Sequence, residues 1–153
     1  MSCATLPFFD ELRDGVTTKS SGETRKIAAR LASFLPADQI LALHGDLGVG
    51  KTTFVQGLAE GFGVREPVTS PTFNIYTVHR GTTRTLVHLD AYRLDSARHV
   101  EDLLLEDFLA SPWCLAIEWP EKIAEWIPPD ALHLVLGIDC NRHHSIRIAS
   151  SSR

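Results

Sequence analysis

Apolar positions along the chain follow two rhythms, a helical period near 3.6 and short runs or strict alternation, and the switches between them mark out the elements. Ile40–His44 is a short apolar run between turn signals, the pattern of a buried central strand. From Lys51 the rhythm turns helical, with Phe54, Val55, Leu58, Ala59 and Phe62 on one side and glycines at 61 and 63 to end it. Gly57 inside this helix costs stability unless another element packs close to it. Upstream, Val16–Lys19 reads as a short strand. Ser20 and Glu23 then have capping-box spacing, ahead of a helix with Ile27, Ala28, Leu31, Phe34 and Leu35 on one face and Pro36 as its stop. Phe73–His79 and Thr83–Asp90 pattern as a hairpin turning at Arg80-Gly81.

Val100–Leu109 is predicted to be a helix through Val100, Leu103, Leu104 and Phe108. Cys114–Glu118 is a second buried strand, Pro120–Ile127 a short helical segment, and Leu132–Ile138 an alternating strand that Ser145–Ala149 can pair with. The first fifteen residues carry no clear period and read as a loosely held extension, leaving 16–153 as the domain. Strand, helix, hairpin, helix and strand describe a small α/β domain with a mixed sheet.

Composition narrows the classes. Fifteen basic residues against 19 acidic ones give a net charge of −4, which lacks the basic surplus of an autonomous nucleic-acid binder but leaves contact through a partner open. The sequence lacks an apolar run of the roughly 18 residues that a membrane span requires. The start, MSCATLPFFDELRDG, has acids where a signal peptide keeps its apolar stretch. Cys3, Cys114 and Cys140 are odd in number and far apart, so they suggest neither a disulfide framework nor a metal pair, and a reducing, cytoplasmic setting is expected.

The chemistry concentrates at Gly45-Asp46-Leu47-Gly48-Val49-Gly50-Lys51-Thr52, a full match to the phosphate-binding pattern G-x-x-x-x-G-K-[ST]. Its context fits, because a strand precedes it and an amphipathic helix follows. Glycines let successive N–H groups converge on one anion, and the helix adds its positive end. Lys51, placed at a solvent-facing loop-to-helix junction, can reach the β/γ-phosphates, and the Thr52 hydroxyl can ligate Mg²⁺. The expected fold is therefore α/β, a three-layer P-loop NTPase-like domain with a mixed central sheet.

Such a loop needs an acid near the metal. Leu86–Asp90 and Cys114–Glu118 are each a mostly apolar run that finishes on a carboxylate, which is costly to bury unless that acid meets water, a cation or a partner. Either acid can also be an ordinary strand end. With both present, Asp90 can order Mg²⁺ or its water shell while Glu118 orients the attacking water. Arg93 either offsets phosphate charge or sits on a solvated loop, and Trp119 either contacts nucleotide or a partner or packs beside Pro120. His88 falls in or beside a strand and His143-His144 in a turn, without zinc-ligand spacing. The chain lacks the Asn-Lys-x-Asp of guanine recognition and has little length for the insertions of a small-molecule kinase.

Four segments in order extend the match beyond a generic loop: Gly45–Phe54, Val68-Thr69-Ser70-Pro71-Thr72-Phe73, His88-Leu89-Asp90-Ala91-Tyr92-Arg93-Leu94 and Ile117-Glu118-Trp119-Pro120-Glu121. Together they resemble the bacterial TsaE family over about residues 17–149. The family consists of small ATPases needed to make N6-threonylcarbamoyladenosine in tRNA, acting with TsaB and with TsaD, which transfers the threonylcarbamoyl group. The resemblance implies that ATP or ADP is held by Asp46, Leu47, Gly48, Val49, Gly50, Lys51, Thr52 and Thr53, with Thr24 and Trp119 nearby. It implies Thr52, Asp90 and Glu118 at the Mg²⁺ site, with Lys51, Asp90 and Glu118 as the catalytic group and Glu118 required for ATP turnover. Val68–Phe73 resembles the family's switch-like loop. The implied partners are TsaB and TsaD, with tRNA reached through that complex and no membrane. Leu104 departs from the pattern, standing where the family commonly has a glycine, so a different local turn is expected there. The rival readings are a nucleotide-bound assembly module that does not hydrolyse, and a small-metabolite kinase.

Overall fold

A computed structural model describes residues 5–71 and 74–149. The elements run α1 (Thr5–Asp14), β1 (Val16–Thr18), α2 (Ser21–Ala32), β2 (Asp38–His44), α3 (Lys51–Gly61), β3 (Tyr76–Arg80) and β4 (Thr85–Asp90). They continue with α4 (Ala97–Glu101), a 3₁₀ turn at Leu105–Phe108, β5 (Trp113–Glu118), 3₁₀ turns over Pro120–Trp126, β6 (Leu132–Ile138) and β7 (His144–Ile148). The strands form one sheet in the order β1-β7-β6-β2-β5-β4-β3. Its four central members, β6, β2, β5 and β4, are mutually parallel, and antiparallel pairs close both edges. This is the expected α/β fold, a mixed sheet between helical layers.

Side-chain parity divides the core. Leu41 and Leu43 on β2, Leu86 on β4, Cys114 and Ala116 on β5, and Leu134 and Leu136 on β6 pack with α1, α2 and α3. Val87, Leu89, Leu115 and Ile117 face the other way, toward Val100, Leu105 and Ile123. Because successive strand residues alternate faces, His88, Asp90 and Glu118 all fall on the α3 side.

Helix α2 starts at the predicted box: Ser20 Oγ accepts from Glu23 N at 3.1 Å, and a Glu23 carboxylate oxygen accepts from Lys19 N at 3.0 Å. The interior Gly57 has its reason in packing. A Cβ there would lie 2.5 Å from the Arg25 carbonyl oxygen and 2.7 Å from Ala28 Cβ, so glycine lets α2 and α3 approach closely.

Two expectations need correction. Within the expected extension, residues 5–14 are not loosely held: they form α1, with Phe8 and Leu12 fully buried. The Phe8 ring lies 5.4 Å from that of Phe34, and the Arg30 guanidinium stacks 4.4 Å from its centre. Among the described side chains of α1 the fully buried ones are Phe8 and Leu12, one turn apart, which is too little to set a clear period. The predicted helix over 100–109 is also interrupted. Leu104 takes φ +53° and ψ +46°, turning its own side chain outward and Leu105 inward. The turn thus adopts the left-handed conformation that suits a glycine, and leucine occupies it at a cost of roughly 1–2 kcal/mol. Thr72 and Phe73 of the switch-like segment, the latter also the first residue of the predicted hairpin strand, lie outside the described residues.

The burial of α1 gives a direct test. Phe8→Ala should lower unfolding free energy by about 3–5 kcal/mol, the usual cost of emptying a fully buried phenylalanine site. Urea denaturation measures it, and a loss near zero would return α1 to a loosely held segment.

Candidate active site

Strand β2 ends at His44 and helix α3 begins at Lys51, so the glycine-rich loop spans the C-terminal edge of the parallel strands. Gly45, Gly48 and Gly50 adopt φ of +148°, +85° and +98°, values that residues with a Cβ rarely take. Gly50 caps α3 without a side chain, so the N–H groups of the first turn remain available to an anion at the helix's positive end.

Lys51 is not at a solvent-facing junction; it is 5% exposed. Its ammonium donates to the Gly45 carbonyl at 2.6 Å and lies 3.8 Å from the centre of the Trp119 ring. Burial is the largest influence on its proton affinity and pushes it below the usual lysine value, against the opposing fields of Glu118, Glu121, Asp90 and Asp46.

The acids arrive from neighbouring strands. Parallel pairing sets Asp90 of β4 beside Glu118 of β5. One Glu118 carboxylate oxygen, Oε2, accepts from Thr52 Oγ1 at 3.3 Å and from His88 Nε2 at 2.5 Å. Asp90 is half-buried and accepts from the Tyr92 N–H at 3.0 Å. Lys51, Thr52, Asp90 and Glu118 thus line one cavity of about 780 Å³, together with Leu47, Gly48, Gly50, Thr53 and Trp119.

Three predicted positions stand apart from that lining. Asp46 is exposed, Val49 is buried beneath the loop, and Thr24 is buried with its hydroxyl 2.6 Å from that of Thr18. The cavity also includes residues to which sequence reasoning gave no role at the loop: Ser70, Ile75, Tyr92 and His144. His144 Nδ1 lies 3.0 Å from the Val49 carbonyl oxygen, tying the start of β7 to the loop. Arg93, given two readings, lines the cavity but is exposed. Trp119 does more than pack beside Pro120, since its ring meets both Lys51 and, at 5.1 Å, Tyr92.

Two of the four described non-glycine residues with positive φ stand at the same place, the others being Leu104 and Arg142. Ile75 and Trp119 have φ of +64° and +57°, and Ile75 uses its carbonyl to accept from the Asp90 N–H at 2.7 Å. Such residues cost on the order of 1–3 kcal/mol each and tend to cluster at functional sites.

A glycine loop between a parallel strand and a helix, with acids ending two adjacent strands, defines a P-loop NTPase-like domain. The chain belongs to the TsaE family: the family model described as "Threonylcarbamoyl adenosine biosynthesis protein TsaE" matches residues 18–146. Curated relatives carry the name tRNA threonylcarbamoyladenosine biosynthesis protein TsaE. The protein from Bacillus subtilis is 38% identical over 119 residues, covering 78% of this chain and 74% of its own length. That from Streptomyces coelicolor is 46% identical over 113 residues, covering 72% and 76%. That from Treponema pallidum is 32% identical over 132 residues, covering 86% and 97%. The crystal structure of Bacillus subtilis YdiB superposes with a TM-score of 0.74 at 32% identity, covering 90% of this chain and 85% of that one.

The lowered proton affinity of Lys51 has a pH signature. Below its folded-state pKa, folded and unfolded chains both carry the charge, and the folded one bears the desolvation cost. Between that value and about 10.4, where the unfolded lysine titrates, the folded chain sheds its proton first, so stability rises with pH. Relative to Lys51→Met, the parent should therefore gain stability as pH climbs through this alkaline window. Urea titrations of both proteins check it, and a difference that stays flat or falls would contradict the assigned shift.

Proposed function

We propose that this protein hydrolyses ATP with Mg²⁺ as an accessory to the TsaB–TsaD complex during formation of N6-threonylcarbamoyladenosine in tRNA. The observation that carries the reading is the convergence at Glu118: its carboxylate contacts the loop hydroxyl of Thr52 and sits in register beside Asp90, at the edge where Lys51 and the first turn of α3 face the cavity.

In this reading the N–H groups of residues 46–53 and the Lys51 ammonium hold the ATP phosphates, while Trp119 shields the lysine from water. Thr52 and Asp90 hold the metal, with Glu118 close enough to complete its surroundings. Among the described residues no three His, Cys, Asp or Glu side chains form a metal cage of their own. That suits Mg²⁺, which keeps several waters and is commonly held by one or two carboxylates together with substrate phosphates. When bound, the ion supplies charge neutralisation at the transferred phosphoryl group. Glu118 orients the attacking water and can accept its proton, the work of a positioned general base.

The family supports the place in tRNA modification, and the relatives' names state that pathway for those proteins. Partnership with TsaB and TsaD finds support at the cavity rim, where Leu47 is 88% exposed and Tyr92 57%. Large apolar groups in water beside a site suit a partner that covers it. The net charge of −4 fits tRNA contact through that partner rather than directly. Among the described residues no helix is long and apolar enough to cross a membrane, and a cytoplasmic location belongs to the same proposal.

Two substitutions test the reading. Glu118→Gln keeps length but removes charge, so ATP affinity should stay near the parent's while single-turnover ADP formation, measured with TsaB and TsaD present, falls about 10²–10⁴-fold. Parent-like chemistry would reject Glu118, and normal tRNA modification without hydrolysis would favour the nucleotide-bound assembly module. Asp90→Asn removes the proposed metal-site charge, and half-maximal activity should require about tenfold more Mg²⁺, a loss near 1.4 kcal/mol in binding. A Mg²⁺ titration that overlays the parent's would move the metal role away from Asp90.

A further inference from the structure

Strand β4 is apolar and fully buried at Leu86, Val87 and Leu89, yet His88 sits among them with no exposed surface. An imidazole in such a place pays for desolvation at two nitrogens. One of them, Nδ1, is buried and has no hydrogen-bond partner among the described residues. The other, Nε2, meets Glu118 Oε2 at 2.5 Å. A carboxylate accepts hydrogen bonds and cannot donate one, so Nε2 carries the proton and donates. Among the described residues the ring's one polar partner is thus Glu118. A buried group left half-satisfied in this way calls for an explanation beyond packing.

The geometry points to His88 as a positioning residue for ATP hydrolysis, one that fixes how Glu118 presents its carboxylate to the cavity. This assignment rests on the reading of Glu118 as the group that orients water. Both donors to the Glu118 carboxylate among the described residues, His88 Nε2 and Thr52 Oγ1, fall on Oε2. Oε1 accepts no hydrogen bond among the described residues, so it is the oxygen left for water or ligand. The two donors differ in kind. Thr52 opens helix α3 directly after the loop and is also needed at the metal, so its hydroxyl is drawn elsewhere when nucleotide arrives. His88 is held by the β3–β4 and β4–β5 ladders on both sides, which no ligand displaces. The ring therefore keeps Oε2 pinned while the Thr52 hydroxyl changes partner, and Glu118 retains its aim.

Single-turnover ADP formation and ATP affinity should be measured, with TsaB and TsaD present, for the parent, His88→Leu, Glu118→Gln and the double variant. His88→Leu is expected to slow chemistry about 10²-fold, the scale of a misplaced reacting group. Its ATP affinity should stay within about threefold of the parent's, since transition-state positioning is what has been lost. Added to Glu118→Gln, it should slow chemistry no further, because the two residues act as one unit. His88→Gln, whose amide can donate from a comparable reach, should run at least about tenfold faster than the shorter His88→Asn, because a positioned donor separates them. That comparison decides the matter even if the leucine variant does not fold. The assignment is overturned if His88→Leu turns over like the parent, if it slows Glu118→Gln as much as it slows the parent, or if the glutamine and asparagine variants are equally slow. Parent-like turnover by Glu118→Gln alone would instead remove the role of Glu118 on which the assignment depends.

Discussion

The site depends on one alignment, the parallel, in-register pairing of β2, β5 and β4. It brings three C-terminal strand ends to the same edge of the sheet, so the glycine loop, Glu118 and Asp90 become neighbours although the chain separates them widely. Parity then turns His88, Asp90 and Glu118 toward α3, the helix that carries Lys51 and Thr52. Without that register the acids would be two ordinary strand ends. With it, they form the wall of a cavity large enough for a nucleotide.

The energetics of the site run against those of the fold. Lys51 is charged and buried, Ile75 and Trp119 hold left-handed backbone angles, and His88 leaves one ring nitrogen unsatisfied. All four lie in or directly behind the same cavity. The rest of the molecule shows a different character: an apolar core on each sheet face, a capped α2, and a glycine that lets α2 and α3 touch. Proteins commonly break local rules at functional sites and compensate elsewhere. Leu104 and Arg142 also hold left-handed angles away from the cavity, and His79 Nδ1 is likewise unsatisfied among the described residues, so what marks the cavity as the working part is that four such exceptions meet there.

Much of this was legible in the sequence because it is local. The loop pattern, the strand ahead of it, the amphipathic helix behind it and the acid at the end of each apolar run can be read from spacing alone. What escaped depends on pairing. His88 and Asp90 are two residues apart on one strand, so they share a face, but only the β4–β5 register reveals that Glu118 lies on that face too. His144 reaches Val49 because β7 folds back beside β6, a tertiary fact with no local trace. Helix α1 has no clear sequence signal because Phe8 and Leu12, its fully buried residues among those described, lie one turn apart and are too few to set a period. The break at Leu104 was missed because leucine ordinarily continues a helix, and only the resemblance to relatives with glycine there marked the position.

The most direct test of the central claim is a crystal structure with a non-hydrolysable ATP analogue and Mg²⁺. The phosphates should be seated against the N–H groups of the glycine loop and the first turn of α3, with the Lys51 ammonium moved from the Gly45 carbonyl to a phosphate oxygen and Glu118 turned toward the terminal phosphate, His88 still bonded to it. Phosphates bound away from the loop, or Glu118 directed out of the cavity, would contradict that claim.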